Sequence, residues 1–172
     1  VAERQSGKEP GMHFAGYYLI TAPRMRVWQA LNDTATLKAC IPGCSRIEWV
    51  SETALEAAMK VNLGVAQPEF TGDLELSDII VAERYTLSGK GRGGLLGWAR
   101  GRADIVLEDH IEGTTLAFSA LGEVDSRLAK LGSAIVGRSA QGVIDRFFER
   151  FADQIGATST AIEVPDPGRG EG

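Results

Sequence analysis

Between Ser45 and Val124 the chain alternates apolar and polar residues through one strand after another, and from about Ser126 to Ile155 it changes to the period of one long helix. No motif constrains the fold as much as this order. Leu55, Ala57, Met59, Val61 and Leu63 interleave with Glu56, Ala58, Lys60 and Asn62, giving one apolar and one wet face. The alternation recurs at Phe70/Leu74/Leu76, Tyr85/Leu87, Ala103/Ile105/Leu107 and Leu116/Phe118/Ala120, which makes an antiparallel meander with one buried face. On the helix, Leu128, Leu131, Ile135, Val143, Phe147, Phe151 and Ile155 mark an apolar stripe, opposite Arg138, Asp145, Arg146, Glu149, Arg150 and Asp153. A sheet with one apolar face and a helix with one apolar stripe have only each other to bury against.

Ahead of the meander, Ala22–Cys44 compresses two short helices and a turn between strands. Pro23 suits a helix's first turn, where its missing N–H has no partner to lose, and Val27, Trp28 and Leu31 supply an apolar face. Thr34 is placed to cap the second helix, and Pro42-Gly43 turns the chain into the next strand.

The length fits one domain with a substantial core. A net charge of −5 gives no basic footprint for nucleic acid and no general attraction to an anionic membrane. Residues 1–11, polar and without a signal-peptide core, read as a disordered leader; 12–156 as the folded domain; 157–172, small, polar and proline-bearing, as a flexible tail. No run of apolar residues is long enough to span a bilayer. Two cysteines do not call for an oxidising compartment, so the expected setting is cytoplasmic.

The chemistry-bearing patterns read mostly as structure. Cys40 and Cys44 form C-x3-C, but His13 and His110 sit at a strand start and a hairpin turn, too scattered for a zinc site, so no metal is expected. Gly89, Gly91 and Gly94 match G-x-G-x-x-G by letter yet lead into a strand, so the dinucleotide reading fails and no cofactor is expected. The glycine-rich hairpin carries Leu95, Leu96 and Trp98, which either fold back on the core or form a lip over an internal space or a docking surface. Gly132, Gly137 and Gly142 each weaken the long helix by about 1 kcal/mol relative to alanine, so they mark close approach to the sheet or room beneath the helix, with a break expected near Gly137. Ile135, Val136 and Ala140 would line that room. No nucleophile–base pair declares itself for catalysis; Glu56, Glu69, Asp73, Glu75 and Asp104 fall on the wet face, while Tyr17, Tyr18 and Tyr85 are candidate cavity hydroxyls.

Five segments, FAGYYLITAPRMRVWQALND, CIPGC, EFTGDLEL, GKGRGGLLGWARGRADIVLE and LAKLG, resemble the START/Bet v 1 (SRPBCC) superfamily. More closely, they resemble the CoxG-like family of carbon monoxide dehydrogenase, over Met12 to Ile155. The resemblance implies an α+β helix-grip fold: a curved antiparallel sheet of about seven strands on a long C-terminal helix. It also implies a non-catalytic protein binding an apolar small molecule, a quinone or lipid, as an accessory to a molybdenum hydroxylase with peripheral contact at the inner membrane face. The ligand-lining set expected is Leu55, Met59, Val61, Leu95, Leu96, Trp98, Leu107, Phe118, Ile135 and Val136. The alternatives are a polyketide cyclase or aromatase-like enzyme, which a buried Arg, His or Asp in the cavity would favour, and an interaction module with a filled core.

Overall fold

The computed structural model describes residues 11–163. Strand β1 (Gly11–Ile20) is followed by helices α1 (Arg24–Leu31) and α2 (Thr34–Cys40), then strands β2 (Cys44–Trp49), β3 (Ala54–Lys60), β4 (Glu69–Ile80), β5 (Arg84–Arg92), β6 (Trp98–His110) and β7 (Gly113–Val124). Helices α3 (Ser126–Ala129) and α4 (Ser133–Gln154) and a short strand β8 (Ser159–Ala161) complete the chain. All strands join one antiparallel sheet in the order β2-β3-β4-β5-β6-β7-β1-β8.

Local chemistry sets the boundaries. The Pro23 carbonyl accepts the Val27 N–H at 3.1 Å, the first bond of α1. Asp33, not Thr34, caps α2, its carboxylate accepting the Thr36 N–H at 3.2 Å and hydroxyl at 2.6 Å. Gly43 has φ +75°, and a Cβ there would run into the Lys60 carbonyl, so the turn into β2 requires glycine.

The C-terminal region departs from expectation in two ways. The long helix is broken at Gly132 (φ +101°) and not at Gly137, where α4 runs on without interruption. A left-handed backbone ends a helix outright, whereas glycine with helical angles only weakens it. Second, residues 159–161, expected in a flexible tail, pair with β1 as an eighth strand; Thr21 N–H bonds to the Thr158 carbonyl (3.1 Å) and Ile162 N–H to the Tyr17 carbonyl (2.8 Å). Residues 164–172 of the expected tail and, apart from Gly11, the expected leader lie outside the described residues.

The sheet has two ends. At the base, α1, α2 and the end of α4 close on the sheet around Phe151, Ile20, Leu116 and Val27, all fully buried. At the other end, the mouth, Leu63, Val124, Leu128 and Val136 form a separate buried cluster.

Candidate functional site: the space between sheet and helix

Strand register sorts the paired sheet residues onto an inner face, toward α4, or an outer face. The row Leu55–Leu74–Gly89–Gly101–Gly122–Met12 points inward, as does Met59–Phe70. Outward lie Glu56, Glu69, Asp73, Glu75 and Asp104, the carboxylates expected on the wet face. Short of the strand ends, the inner face carries no Asp, Glu, His, Lys or Arg among the described residues, and its phenols are Tyr18 and Tyr85. Asp109, at the end of β6, shares the inner parity but is paired with Arg24 of α1 at 3.0 Å.

Between base and mouth the inner face is small and incompletely covered. Gly72, Gly89, Ala103, Ala120 and Gly16 occupy its centre, and Leu74, Leu87, Ile105 and Phe118 around them are only partly buried. Opposite the sheet stands α4, with Gly137 in its second turn, next to Val136 of the mouth cluster. At 3.6 residues per turn Gly137 lies within about 20° of Ile144 and Phe148, on the sheet-facing line of the helix. A Cβ added there would meet nothing within 4 Å. At Gly137, then, no side chain of the sheet packs against the helix surface.

The floor of the space is aromatic. Tyr18 stacks on Phe148 with ring centroids 4.1 Å apart, and Phe118 lies 5.8 Å from Phe148, nearly parallel. Gly16 makes this stack possible, because a Cβ there would strike the Phe118 ring. Burial, and then the charge of Asp145, push the Tyr18 phenol above its ordinary pKa, so it remains a hydrogen-bond donor at neutral pH. Its hydroxyl makes no hydrogen bond among the described residues. Tyr85 is sealed in the base against Trp28, its pKa pushed up to about 12 by burial.

The residues expected to line the cavity separate into several places. Phe118 and Met59 lie on the inner face beside the space. Val61, Leu96 and Val136 belong to the mouth cluster. Leu55 and Leu107 are buried in the base, at 3% and 2% exposure, too tightly packed to line an open space. Ile135 projects from the side of α4 opposite Ile144. Leu95 is 91% exposed, on the 3-10 turn Gly94–Leu96. Trp98 shares the outer face with Arg100, whose guanidinium carbon sits 4.9 Å from the ring centre, so it does not form an inner lip. The residues that sequence reasoning left out are Phe148 and Ile144; Leu74 was placed on the apolar face without being counted in the lining, and Tyr18 was among the hydroxyl candidates without a place. Period-two spacing of Gly16 and Tyr18, with Phe148 four residues beyond Ile144, was the available signal.

Elsewhere the structure offers less chemistry. Cys40 and Cys44 are free thiols, both raised in pKa chiefly by burial, and among the described residues no cluster of His, Cys, Asp or Glu could hold a metal. His110 Nδ1 accepts the Glu112 N–H in the β6–β7 turn. A groove of about 500 Å³ lies on the outer face, walled by Asp73, Glu75, Lys90, Arg100, Arg102 and Leu121. It is open to solvent, and its acids and bases alternate across strands as on an ordinary wet sheet face.

A family profile for the CoxG component of carbon monoxide dehydrogenase matches residues 16–156. The chain belongs to the CoxG family. The match runs from Gly16, under the aromatic stack, to just past the end of α4, so it spans both walls of the space. No curated protein matches the chain. Among solved structures, a conserved protein from Geobacillus kaustophilus superposes with TM-score 0.76 at 24% identity, covering 86% of this chain and 99% of the other. Ara h 8.0201 does so with TM-score 0.60 at 16% identity (85% and 98%), and the Zhui aromatase/cyclase of Streptomyces sp. R1128 with TM-score 0.61 at 9% identity (86% and 94%). The CoxG chain thus has the helix-grip, Bet v 1-like fold, with eight strands where about seven were expected. No helix among the described residues is long and apolar enough to cross a membrane.

Proposed function

We propose that this CoxG protein is a non-catalytic carrier that holds an apolar small molecule, a quinone or a lipid, between the inner sheet face and α4. The observation that carries the reading is Gly137: it lies on the sheet-facing line of α4 in the helix's second turn, yet nothing lies within 4 Å of where its Cβ would be. An inner face of glycine, alanine and partly buried aliphatics favours an apolar occupant, since a polar one would lose its water without gaining partners. The aromatic floor offers a stacking surface for a planar ring, and the Tyr18 hydroxyl offers one hydrogen bond to a carbonyl at its edge.

Binding is favoured over turnover because, among the described residues, the sheet wall of the space presents a phenol and no Arg, His, Asp or Glu from which a cyclase could build an acid–base pair. Membership in the CoxG family extends the reading to an accessory role for a molybdenum hydroxylase of the carbon monoxide dehydrogenase type, at the cytoplasmic side of the membrane.

The test is titration with a short-chain quinone, decylubiquinone, followed by quenching of tryptophan fluorescence. Saturable binding is expected, and Gly137→Leu, which puts a side chain into the open space, should weaken it at least about tenfold while circular dichroism stays unchanged. Binding that is unsaturable, or untouched by Gly137→Leu, would overturn the carrier reading. Co-purification with a molybdenum hydroxylase from the native host tests the partner.

A further inference from the structure

Near the base, one row of the outer sheet face is mostly apolar. Strand register runs it through Ile80, Arg84, Val106, Ala117 and Tyr17, across β4, β5, β6, β7 and β1, and all five keep exposed surface. Ile80 reaches this row only because β4 is bulged. Leu74 and Leu76 face inward, so strict alternation would turn Ile80 inward as well. Instead the β4–β5 register slips by one residue between Ser77 and Ile80, with Asp78 at φ +52°, and Ile80 comes to lie opposite Arg84 on the outer face. The turn that follows is closed by the Glu83 N–H on the Ile80 carbonyl at 2.9 Å and holds Ala82 at φ +64°, where glycine is the usual residue. Asp78 and Ala82 are the two non-glycine residues with left-handed backbone among those described. Arg24 fixes this hairpin, donating to the Ala82 carbonyl at 2.9 Å and to Asp109 of β6 at 3.0 Å. The result is a run of aliphatics in water: Ile79, Ile80 and Val81 are 39, 41 and 62% exposed. Strain held by its surroundings gathers at functional surfaces, and this strain presents apolar side chains.

Charge indicates what the row can pack against. Arg84 stands within it and has no ion pair among the described residues. On β6, Asp104 and Glu108 flank Val106 two residues to either side and share its outer face. Asp104 is already engaged by the Thr86 hydroxyl at 2.8 Å, whereas Glu108 has no ion pair among the described residues. An apolar row holding one unpaired cation, with one unpaired carboxylate beside it, is complementary to a second copy of itself. Its size also suits a second copy. Five strands about 4.8 Å apart and three outward rows about 6.8 Å apart make a patch of roughly 24 by 20 Å. Side-chain relief and the hairpin tip bring this toward the roughly 800 Å² that a standard interface buries on each partner.

We propose that the chain forms a two-fold homodimer by stacking this part of the outer face on that of a second copy. An axis along the strands, between β5 and β6, sets Ile80 on the partner's Ala117 and brings Arg84 over the partner's Val106, within reach of the partner's Glu108. Each contact occurs twice. The exposed aliphatics are covered, the arginine gains a carboxylate, and both mouths and both inner faces stay outside the interface. The dimer goes beyond the carrier reading and does not require it.

The experiment is sedimentation velocity of the full chain from about 1 to about 100 μM. A reversible shift from the 18.4 kDa monomer to twice that mass is expected. Ile80→Asp should weaken the dimer at least about tenfold. Arg84→Glu and Glu108→Arg should each do the same, and combining the two should restore affinity to within about threefold of wild type. Leu95→Asp, exposed at the mouth, should change nothing. All the altered positions are exposed, so circular dichroism should show an intact fold in each variant, and decylubiquinone titration reports the internal space separately. A monomer at every concentration, a dimer untouched by Ile80→Asp, or two charge reversals that do not rescue each other would overturn the proposal. So would equal loss with Leu95→Asp, which would put the contact at the other end of the molecule.

Discussion

Seventeen buried residues close the base of the fold, drawn from three helices and most of the strands, whereas the mouth is held by four. The base surrounds Phe151 with interdigitated aromatic and aliphatic groups; the mouth relies on Leu63, Val124, Leu128 and Val136, with glycine turns and one ion pair to orient its loops. The difference teaches how a single helix can grip a sheet without filling the space beneath it. One end supplies most of the stability, the other fixes only the distance, and the residues between need not touch.

The strongest way to break this comparison is to truncate one residue in each cluster. Phe151→Ala should cost about 3–5 kcal/mol by denaturant melts, with loss of cooperative unfolding below physiological temperature as an extreme outcome. Leu128→Ala should fall near the bottom of the usual leucine range, about 2 kcal/mol, because its smaller cluster can collapse around the gap. Equal costs would mean that the two ends form one cooperative core.

The halves should also respond to opposite extremes of pH. Tyr85, in the base, has its pKa raised to about 12, above an unfolded value near 10, so its contribution is complete below pH 10 and is lost as pH rises toward 12. Asp125, at the mouth, is held at about 2 first by its hydrogen bonds with Arg127; its contribution is present above an unfolded value near 4 and is lost as pH falls toward 2. Hydrogen exchange followed by mass spectrometry should find β5 loosening first in alkali and α3 first in acid. Asp125→Asn should remove only the acid response.

The smallest effect is expected at Trp98. On the outer face beside Arg100, its replacement by alanine should cost about 1 kcal/mol or less and leave quinone affinity unchanged. A loss of several kcal/mol would put its ring in the mouth cluster, and a loss of affinity would restore it as a lip.

Much of this architecture was legible because alternation is a local property. Once Leu55, Leu74, Leu87, Ala103 and Phe118 are read as strand residues of fixed parity, their shared face follows from the pleat, as does the wet position of Glu56, Asp73 and Asp104. Trp98 was not legible in the same way: Gly97, at φ +87°, resets the chain direction immediately before β6, and the parity of the first strand residue depends on that turn. Leu55 and Leu107 were correctly placed on the apolar face, but whether they line a space or fill the base depends on their distance along the strands from α4's large phenylalanines, which is a tertiary quantity.

The sequence by itself determined the α+β order, the helix-grip resemblance and the two-faced sheet, because periodicity and turn chemistry act over a few residues and need no partner. Tertiary structure alone decided that the helix breaks at Gly132 and continues through Gly137, and that residues 159–161 extend the sheet. These depend on which distant segments meet: Ser159–Ala161 needs the free edge of β1, and Gly137 keeps its helical angles because α4 is packed along its length against elements far away in the chain.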